Sequence, residues 1–237
     1  MPTSIDSLIN RQLRKWEYEQ NQATSGTEDL SLPSPIITVS RQKGSRGSYF
    51  ASRLAEELKY DRLHRNVIDR ICLSSGFRKR VIESMDDTFR SELALTVESF
   101  FTGQSVDHSD YFQHLYQVIF TMSKLGGVIL VGRGGNFIVG PKRGFHIRFI
   151  APRKKRIDNL VNYKFLSKDE ATEEVDRSDK LRSEFIRKLF NADINDPFHY
   201  DIVLNAQYID IEELVDVAVK AVHGKFEKLK HLDHDSI

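Results

Sequence analysis

The sequence predicts an α/β fold in which a parallel sheet of about five strands carries helices on both faces. Two observations lead to this prediction. Short apolar runs alternate along the chain with longer amphipathic segments, an order typical of parallel sheets. The run Gly127 to Val131 is apolar throughout, as expected of a strand that is buried on both faces.

The first predicted strand, Ile36 to Ser40, leads through a basic loop, Arg41 to Ser48, into a predicted helix over residues 49–58. Apolar side chains recur at helical spacing along that helix, so one of its faces is predicted to pack on the sheet. The N-terminus of a helix presents unpaired backbone N–H groups and the positive end of its dipole. Strand, basic loop and helix in this order therefore form a candidate phosphate site.

The loop keeps little of the phosphate-loop consensus G-x-x-x-x-G-K-[ST]. When the consensus is laid over the loop, Ser48 matches, Arg41 and Arg46 stand at the two glycines, and Gly47 stands at the lysine. Ser48 would then be a magnesium ligand. A second interpretation is a basic turn in which the Ser48 hydroxyl caps the helix. The local sequence does not separate the two interpretations.

The rest of the chain continues the alternation. Further strands are predicted at Tyr60 to His64, Gly127 to Val131, Phe145 to Ile150 and Tyr200 to Leu204. Further helices are predicted at Asn66 to Ser74, Phe77 to Met85, Thr88 to Phe101, Tyr111 to Leu125, Arg153 to Phe165, Lys168 to Phe190 and Ile211 to Val222. Ligands bind beyond the carboxyl ends of parallel strands, so we expect the loops that begin at Arg41, Gly132 and Ala151 to form the crevice.

The two ends of the chain differ from this central domain. Ser4 to Gln20 has helical periodicity, and residues 21–35 have the composition of a linker. We therefore divide the chain into an N-terminal helix and linker (1–35), one domain (36–225) and a polar tail (226–237). The N-terminal helix could dock on the domain or on another subunit, which would make the protein a homo-oligomer.

Composition limits the classes of protein to be considered. Lys and Arg total 35 against 34 Asp and Glu, a formal net charge of +1, which argues against a dedicated nucleic-acid binder. The single cysteine, Cys72, excludes an internal disulfide and fits a reducing compartment. The first residues lack the features of a signal peptide, and no apolar stretch reaches the ~18 residues of a membrane span. We therefore expect a cytoplasmic protein without a membrane partner.

Five short motifs, in order along the chain, resemble those of the cytidylate kinase-like family, a branch of the P-loop nucleoside monophosphate kinases. They are Ile37-Thr38-Val39-Ser40-Arg41 with Gly44, Ser45 and Gly47; Val131-Gly132-Arg133-Gly134; Ala151-Pro152 with the basic run 153–156; Asp176-Arg177-x-Asp179-x-x-Arg182; and Tyr200-Asp201-Ile202-Val203-Leu204-Asn205. Together they span Ile36 to Val222. The resemblance implies a three-layer P-loop NTPase-like fold with a helical lid region.

The resemblance also implies a reaction, namely Mg²⁺-dependent phosphoryl transfer from ATP to a nucleotide substrate, CMP or dCMP. It implies that Arg133 binds the acceptor, that Arg182 stabilises the transferred group, and that Arg177 belongs to the lid. It further implies that Ser48 holds the metal and that the donor binds at Arg41, Lys43, Gly44, Ser45, Arg46, Gly47, Ser48 and Tyr49. From the residues alone, Arg133 could be a surface arginine in a turn. Arg177 and Arg182 could belong to a solvated, salt-bridged helix in which Asp179 and Arg182 pair.

Three positions depart from the cytidylate kinases proper. Gly47 replaces a lysine that bridges the transferred phosphate, Gly134 replaces an aspartate that helps to select the pyrimidine, and Val175 replaces a lid arginine. Lys43 or Arg46 could take over from the missing lysine. Two further hypotheses follow from these departures: a nucleotide-binding regulatory protein with little or no kinase activity, and a phosphotransferase for a different small acceptor.

The remaining polar candidates have simpler interpretations. Four aspartates are candidates for contact with the acceptor or with magnesium: Asp61, Asp69, Asp86 and Asp87. For the last two a helix-capping role is favoured. His231 and His234 could bind a metal, but a solvated chain end is the favoured interpretation.

Overall fold

The computed structural model of this chain describes residues 5–24, 34–83, 91, 93–95, 97–98 and 110–234. The predicted helix cap at residues 86–87 lies outside these ranges, as does much of the predicted helix over residues 88–101. The described residues between 91 and 98 are helical. In the described ranges, no helix combines the length and the apolar character that a membrane crossing requires.

The centre of the fold is a five-stranded parallel sheet, as predicted. Its strands are β1 (Ile36–Arg41), β2 (Asp61–His64), β3 (Val128–Val131), β4 (Gly144–Ile150) and β5 (Ile202–Asn205). They lie in the order β2-β3-β1-β4-β5. Because β1 lies between β3 and β4, the segments that follow these three strands meet at one edge of the sheet.

Nine described helices of at least five residues accompany the sheet. They are α1 (Ile5–Thr24), α2 (Gly47–Leu58), α3 (Arg65–Leu73), α4 (Ser75–Glu83), α5 (Asp110–Leu125), α6 (Gly135–Val139), α7 (Arg153–Lys164), α8 (Lys168–Phe190) and α9 (Ile211–His234). The short helix α6 was not predicted. A 3-10 turn, Pro197–His199, precedes β5.

Two hydrophobic cores lie on opposite faces of the sheet. Successive residues of a strand point to opposite faces, so Leu130 joins the core under α1, α3, α4 and α5, whereas Ile129 and Val131 join the core under α2 and α9. The molecule is therefore a three-layer α/β structure, which confirms the predicted fold class.

Helices α7 and α8 form an antiparallel hairpin beside the sheet edge. A small core of its own, in which Ile157, Leu160 and Val175 are buried, joins the two helices. Ser167 and Glu170 form a capping box at the start of α8, since each side chain pairs with the backbone N–H of the other residue. The predicted lid segment thus folds as a unit with defined ends.

The N-terminal helix docks on its own domain. Ile9, Leu13 and Trp16 are buried in the core of one face, and Trp16 Nε1 donates to the carbonyl of Gly126 at 3.1 Å. Of the two docking partners considered for this helix, the structure shows the domain itself. Self-association through α1 would have to use its other residues.

The last helix is longer than the sequence pattern indicates. We predicted Ile211 to Val222 followed by a polar tail, but α9 continues to His234. Phe226 packs against the core, and Lys225 Nζ donates to the Gly144 carbonyl and to Asp201, each at 2.7 Å. These tertiary contacts stabilise turns whose own sequence is mostly polar.

Candidate functional site

The loop after β1 is closed by Ser45. Its hydroxyl donates to the Gln42 carbonyl at 2.8 Å and accepts from the Gly47 N–H at 3.2 Å. Helix α2 begins at Gly47, directly after Arg46 in the left-handed conformation with φ 66°. Ser48 is therefore inside the helix, and the interpretation of its hydroxyl as the N-cap is wrong. Its side chain is exposed.

Several groups of the loop are free to contact a ligand. Among the described residues, the backbone N–H groups of Gly44, Arg46 and Ser48 have no acceptor. Buried or ligand-facing N–H groups at a helix start are suited to phosphate oxygens. The free N–H groups of the loop are therefore of the kind that a phosphate site requires, although most of the consensus side chains are absent.

The loop offers a magnesium ion the exposed hydroxyl of Ser48 and no carboxylate. In the described part of the chain, no group of three or more His, Cys, Asp or Glu side chains could hold a metal. The exposed Ser48 hydroxyl would be one protein ligand, and phosphate and water oxygens would complete the shell. Mg²⁺ binds in this way because it dehydrates reluctantly and keeps several waters.

The helical hairpin covers the loop. A Cβ atom on Gly44 would lie 2.3 Å from the carbonyl oxygen of Arg156, so only glycine allows this approach. Asn159 Nδ2 donates to the Gly44 carbonyl at 2.8 Å. Arg156, which is almost fully buried, donates to Asp179 at 2.8 Å and thereby joins α7 to α8. Asp179 thus pairs with Arg156, and the predicted pair with Arg182 is not formed.

Arg41 lies across the next turn. A Cβ atom on Gly132 would be 2.7 Å from Arg41 Nη1, so the guanidinium rests against the turn that follows β3. In the described structure its Nε is buried without a hydrogen-bond partner. Burial, reinforced by the nearby Arg182 and Arg65, lowers the pKa of Arg41 to about 9.

Arg133 is fixed by a carboxylate from α3. Its Nε donates to Asp69 Oδ1 at 2.8 Å, and its Nη2 pairs with Asp69 Oδ2. The Tyr111 hydroxyl donates to the same Oδ1 at 2.7 Å, and the pKa of Tyr111 is raised by burial and by this bond. Arg133 has a left-handed backbone conformation, with φ 59°. Arg133 is thus a positioned arginine, not a loose one in a surface turn.

Two clefts meet at the sheet edge. The first, which we name the inner cleft, has a volume of about 260 Å³ and is lined by residues that include Ser40, Arg41, Arg133, Asn136, Arg182 and Phe185. The second, the loop cleft, has a volume of about 510 Å³ and is lined by residues that include Arg41, Gly44, Arg46, Ser48, Tyr163 and Arg182. Arg41 and Arg182 line both clefts and therefore stand between them.

Arg182 is held between the two clefts by a hydrogen bond to the backbone of Arg41. It reaches from α8 and donates to the carbonyl of Arg41. Burial lowers the pKa of Arg182, and the nearby Arg148 and Arg156 act in the same direction. The predicted crevice therefore exists, with two arginines from distant parts of the chain at its centre.

Three basic residues of the predicted site, Lys43, Arg46 and Arg177, do not line the inner cleft. Lys43 Nζ pairs with Glu174 at 2.6 Å, and Arg177 pairs with the same carboxylate from the exposed side of α8. Arg46 lies between the rings of Tyr49 and Tyr163, with its guanidinium carbon 4.9 and 4.8 Å from their centroids. Lys43 and Arg46 line the loop cleft, whereas Arg177 does not.

One buried arginine beside the clefts, Arg148, was not predicted from the sequence. Arg148, in β4, is 5% exposed, and it donates to Ser40 Oγ at 2.8 Å and to Asn195 Oδ1 at 3.0 Å. Its Nε has no partner in the described structure, and burial lowers its pKa. The available signal was a charge inside the apolar run Phe145 to Ile150, because a buried strand carries an arginine only where something pairs with it.

The sequence of this domain identifies its protein family. Residues 36–208 match the model of the cytidylate kinase-like family. The chain belongs to the cytidylate kinase-like family. This membership confirms the resemblance based on the motifs and supports a nucleotide-kinase-like function, without identifying the substrate.

Individual relatives of this family member are distant. The cytidylate kinase of Methanocaldococcus jannaschii is 22% identical over 190 residues, which cover 79% of this chain and 97% of that protein. A segment of 102 residues is 35% identical to the uronate isomerase of Corynebacterium glutamicum and covers 43% of this chain. The match spans only 20% of that enzyme's length.

The fold also occurs in a solved structure. An uncharacterized protein from Eubacterium ventriosum superposes with a TM-score of 0.64 at 16% identity, covering 81% of this chain and 99% of that one. At this identity the likeness concerns the fold alone.

The three departures from the cytidylate kinases proper each have a steric reason here. A Cβ atom on Gly47 would lie 2.7 Å from Arg41 Cβ. A Cβ atom on Gly134, which has φ 66°, would lie 2.4 Å from the ring of Phe190. Val175 is fully buried in the core of the hairpin. A lysine, an aspartate and an arginine at these three positions would all require the surrounding structure to change.

Proposed function

We propose that this member of the cytidylate kinase-like family transfers the γ-phosphoryl group of ATP to the phosphate of a nucleoside monophosphate, CMP or dCMP. One observation carries the proposal: the loop cleft and the inner cleft share a wall made of Arg41 and Arg182. A phosphoryl group that passes from a donor in one cleft to an acceptor in the other would cross this wall. Phosphoryl transfer depends on such positioning and charge neutralisation.

The donor would bind at the loop cleft. The N–H groups of Gly44, Arg46 and Ser48 face no protein acceptor among the described residues, and they can donate hydrogen bonds to the oxygens of its phosphates. Ser48 Oγ would hold Mg²⁺. The ion would neutralise part of the charge of the donor phosphates. Lys43 lies at the rim, where it now pairs with Glu174.

The acceptor phosphate would bind in the inner cleft. Arg133 is suited to it because a guanidinium grips two phosphate oxygens at once, and Asp69 keeps this guanidinium in one orientation. Ser40 and Asn136 add polar groups to the lining, and Phe185 adds an aromatic side chain. The relative from M. jannaschii, by its name a cytidylate kinase, supports CMP as the first acceptor to test.

The reaction needs little covalent work from the protein. A phosphate oxygen of the acceptor forms the new bond to the γ-phosphorus, while the bond from that phosphorus to the oxygen bridging the β- and γ-groups breaks. The electron pair of the broken bond stays on the ADP that leaves. The acceptor phosphate is already anionic at neutral pH, so no general base is required, and Arg182 would stabilise the charge of the transferred group.

Two other functions have a specific observation in their favour. A nucleotide-binding protein with little turnover is favoured by Gly47, where the usual lysine is missing. A phosphotransferase for another small acceptor is favoured by Gly134, because the ring of Phe190 leaves no space for the base-selecting aspartate. The same assay separates both from the main proposal.

The deciding experiment measures ADP formation from ATP–Mg²⁺ with CMP, dCMP, UMP, AMP and GMP in turn. We expect turnover with CMP or dCMP that collapses in Arg182→Ala. Arg53→Ala is the matched control, because Arg53 lies on the outer surface of α2 and pairs with Glu212. Folded protein that binds ATP but turns over no nucleotide would reject the kinase proposal in favour of a binding role. ADP formed only with a non-nucleotide acceptor would favour the third function.

A further inference from the structure

The phosphate loop lacks the lysine that would supply a cation to the transferred group. Phosphoryl transfer needs a cation between donor and acceptor, and Gly47 cannot supply it. Resting on the proposed function, we propose that Arg41 supplies this charge. The cation would then stand at the first position of the loop, where the consensus has glycine, and glycine would stand where the consensus has lysine. Arg41 would then be a catalytic residue that contacts the group in transfer.

Arg41 and the Gly47 position compete for the same space. A Cβ atom on Gly47 would lie 2.7 Å from Arg41 Cβ and 3.1 Å from the ring of Phe149. The consensus has glycine at the position of Arg41, which would leave this space open for a lysine side chain. The two departures are therefore one coupled change, since a side chain at position 41 excludes a side chain at position 47.

The guanidinium of Arg41 is placed where the two clefts meet. It lies against Gly132, where a Cβ atom would be 2.7 Å from Nη1, so a glycine in the turn after β3 admits it. Gly132 has φ 89°, a conformation that also favours glycine. From there Arg41 lines both the loop cleft and the inner cleft. This is the place where the transferred phosphoryl group would pass.

Within the described structure, the charge of Arg41 has no counter-charge from a paired carboxylate, and its buried Nε has no hydrogen-bond partner. The nearby charged groups that act on it are four further arginines, of which Arg182 and Arg65 act most strongly. A buried, unpaired cation among cations is unfavourable, and an anion at this point would relieve it.

The two cations that the sequence offered as replacements are engaged elsewhere. Lys43 is held by Glu174 at 2.6 Å. The guanidinium of Arg46 is stacked between Tyr49 and Tyr163. In the transfer, the bond from the γ-phosphorus to its bridging oxygen breaks as the bond to the acceptor oxygen forms. Arg41 would neutralise the oxygens of the moving group without giving up a proton.

The test compares Arg41→Met with Arg41→Lys, and Arg53→Met serves as the surface control. If Arg41 stabilises the transferred group, kcat falls by at least ~100-fold in Arg41→Met, less in Arg41→Lys, and hardly in the control. Added guanidinium ion should restore part of the activity of Arg41→Met, which a merely structural defect would not allow. Folding of each variant is checked by its thermal unfolding curve.

A coupled substitution tests the exchange directly. Gly47→Lys alone should be poorly active because it meets Arg41, and Arg41→Gly alone should lose the cation. The double variant Arg41→Gly with Gly47→Lys rebuilds the consensus pair and should be at least ~10-fold more active than either single variant. A folded Arg41→Met that keeps its kcat, or a double variant that shows no gain over Arg41→Gly, would overturn the inference.

Failure of the proposed function gives a different result. Wild-type protein that turns over none of the nucleotides would reject the kinase proposal itself, and the affinity for ATP–Mg²⁺, measured by calorimetry, would then decide. An affinity that falls at least ~10-fold in Arg41→Met would keep Arg41 as a phosphate contact. An unchanged affinity would overturn its role at the site.

Discussion

The buried arginines at the sheet edge and those of the hairpin surface share a residue type but differ in their surroundings. Arg41 and Arg148, at the sheet edge, have a buried Nε without a partner, and burial lowers the pKa of both. Arg153 and Arg177, on the hairpin, are more than half exposed and pair with Asp176 and Glu174.

This contrast indicates where an anionic ligand would be stabilised. The charges of an exposed ion pair are already balanced by each other and by water, so a ligand would add little there. A buried guanidinium without a carboxylate is left with an uncompensated charge, which an anionic ligand can balance. Arg133 lies between these extremes, because it is largely buried but already paired with Asp69.

The largest effect expected from this contrast is on turnover. Arg182→Ala should lower kcat roughly 100- to 1000-fold, because it removes a cation from the wall between the clefts. Arg177→Ala, five residues away on the same helix, should change kcat by less than about threefold, because its partner is Glu174 at the surface. Steady-state kinetics with saturating ATP–Mg²⁺ and CMP would measure both. Equal losses in the two variants would contradict the distinction.

The next effect concerns Arg133, which is largely buried but paired with Asp69. Asp69→Asn should raise the KM for the acceptor roughly tenfold, ~1.4 kcal/mol, because Arg133 loses the partner that orients it. The effect on kcat should be smaller. Asp158→Asn, on the exposed face of α7, is the matched control. A loss in kcat with an unchanged KM would instead show that Arg133 acts on the transferred group.

A smaller effect is expected on stability in the presence of an anion. Sulfate should raise the free energy of unfolding of the wild type, and this gain should be about 1 kcal/mol smaller in Arg148→Met, which removes one uncompensated charge. Arg153→Met should keep the full gain. Urea unfolding with sulfate and with chloride at matched ionic strength separates the specific effect from the general one. An equal gain in both variants would argue against an anion near Arg148.

The smallest effect belongs to the exposed network. Hydrogen bonds from Lys43 and then Arg177 lower the pKa of Glu174 to about 2. A carboxylate whose pKa is lowered on folding stabilises the protein above its unfolded pKa, near 4.5, and loses this contribution as the pH falls toward 2.

The stability difference between wild type and Glu174→Gln should therefore be present at pH 7 and vanish in strong acid. It should stay below about 1 kcal/mol, because water screens the network. Chemical unfolding at several pH values would measure it. A difference that grows as the pH falls would have the wrong sign.

The sequence predicted the strands that carry the site well, but it did not predict which side chains pair within the site. Apolar runs and helical periodicity identified all five strands, and the segments after β1 and β3 do meet as expected from parallel strands. The positions of Arg41 and Arg133 at one crevice follow from this topology, whereas Arg182 reaches the crevice from α8 through a tertiary contact. The partner of Arg133, however, is Asp69 on α3, which no spacing along the chain connects to it.

Local sequence by itself determined what depends on neighbours within a few residues: the period of the strands and helices, the capping box at Ser167, and the presence of a basic loop before a helix. Only the tertiary structure decided which cations are free. Lys43, Arg46 and Arg41 look alike in the sequence, but each meets a different group from a distant part of the chain. Lys43 pairs with Glu174, Arg46 stacks on Tyr163, and Arg41 lies against Gly132. The energy of a charge depends on its burial and its partners, and both are set by contacts between distant segments.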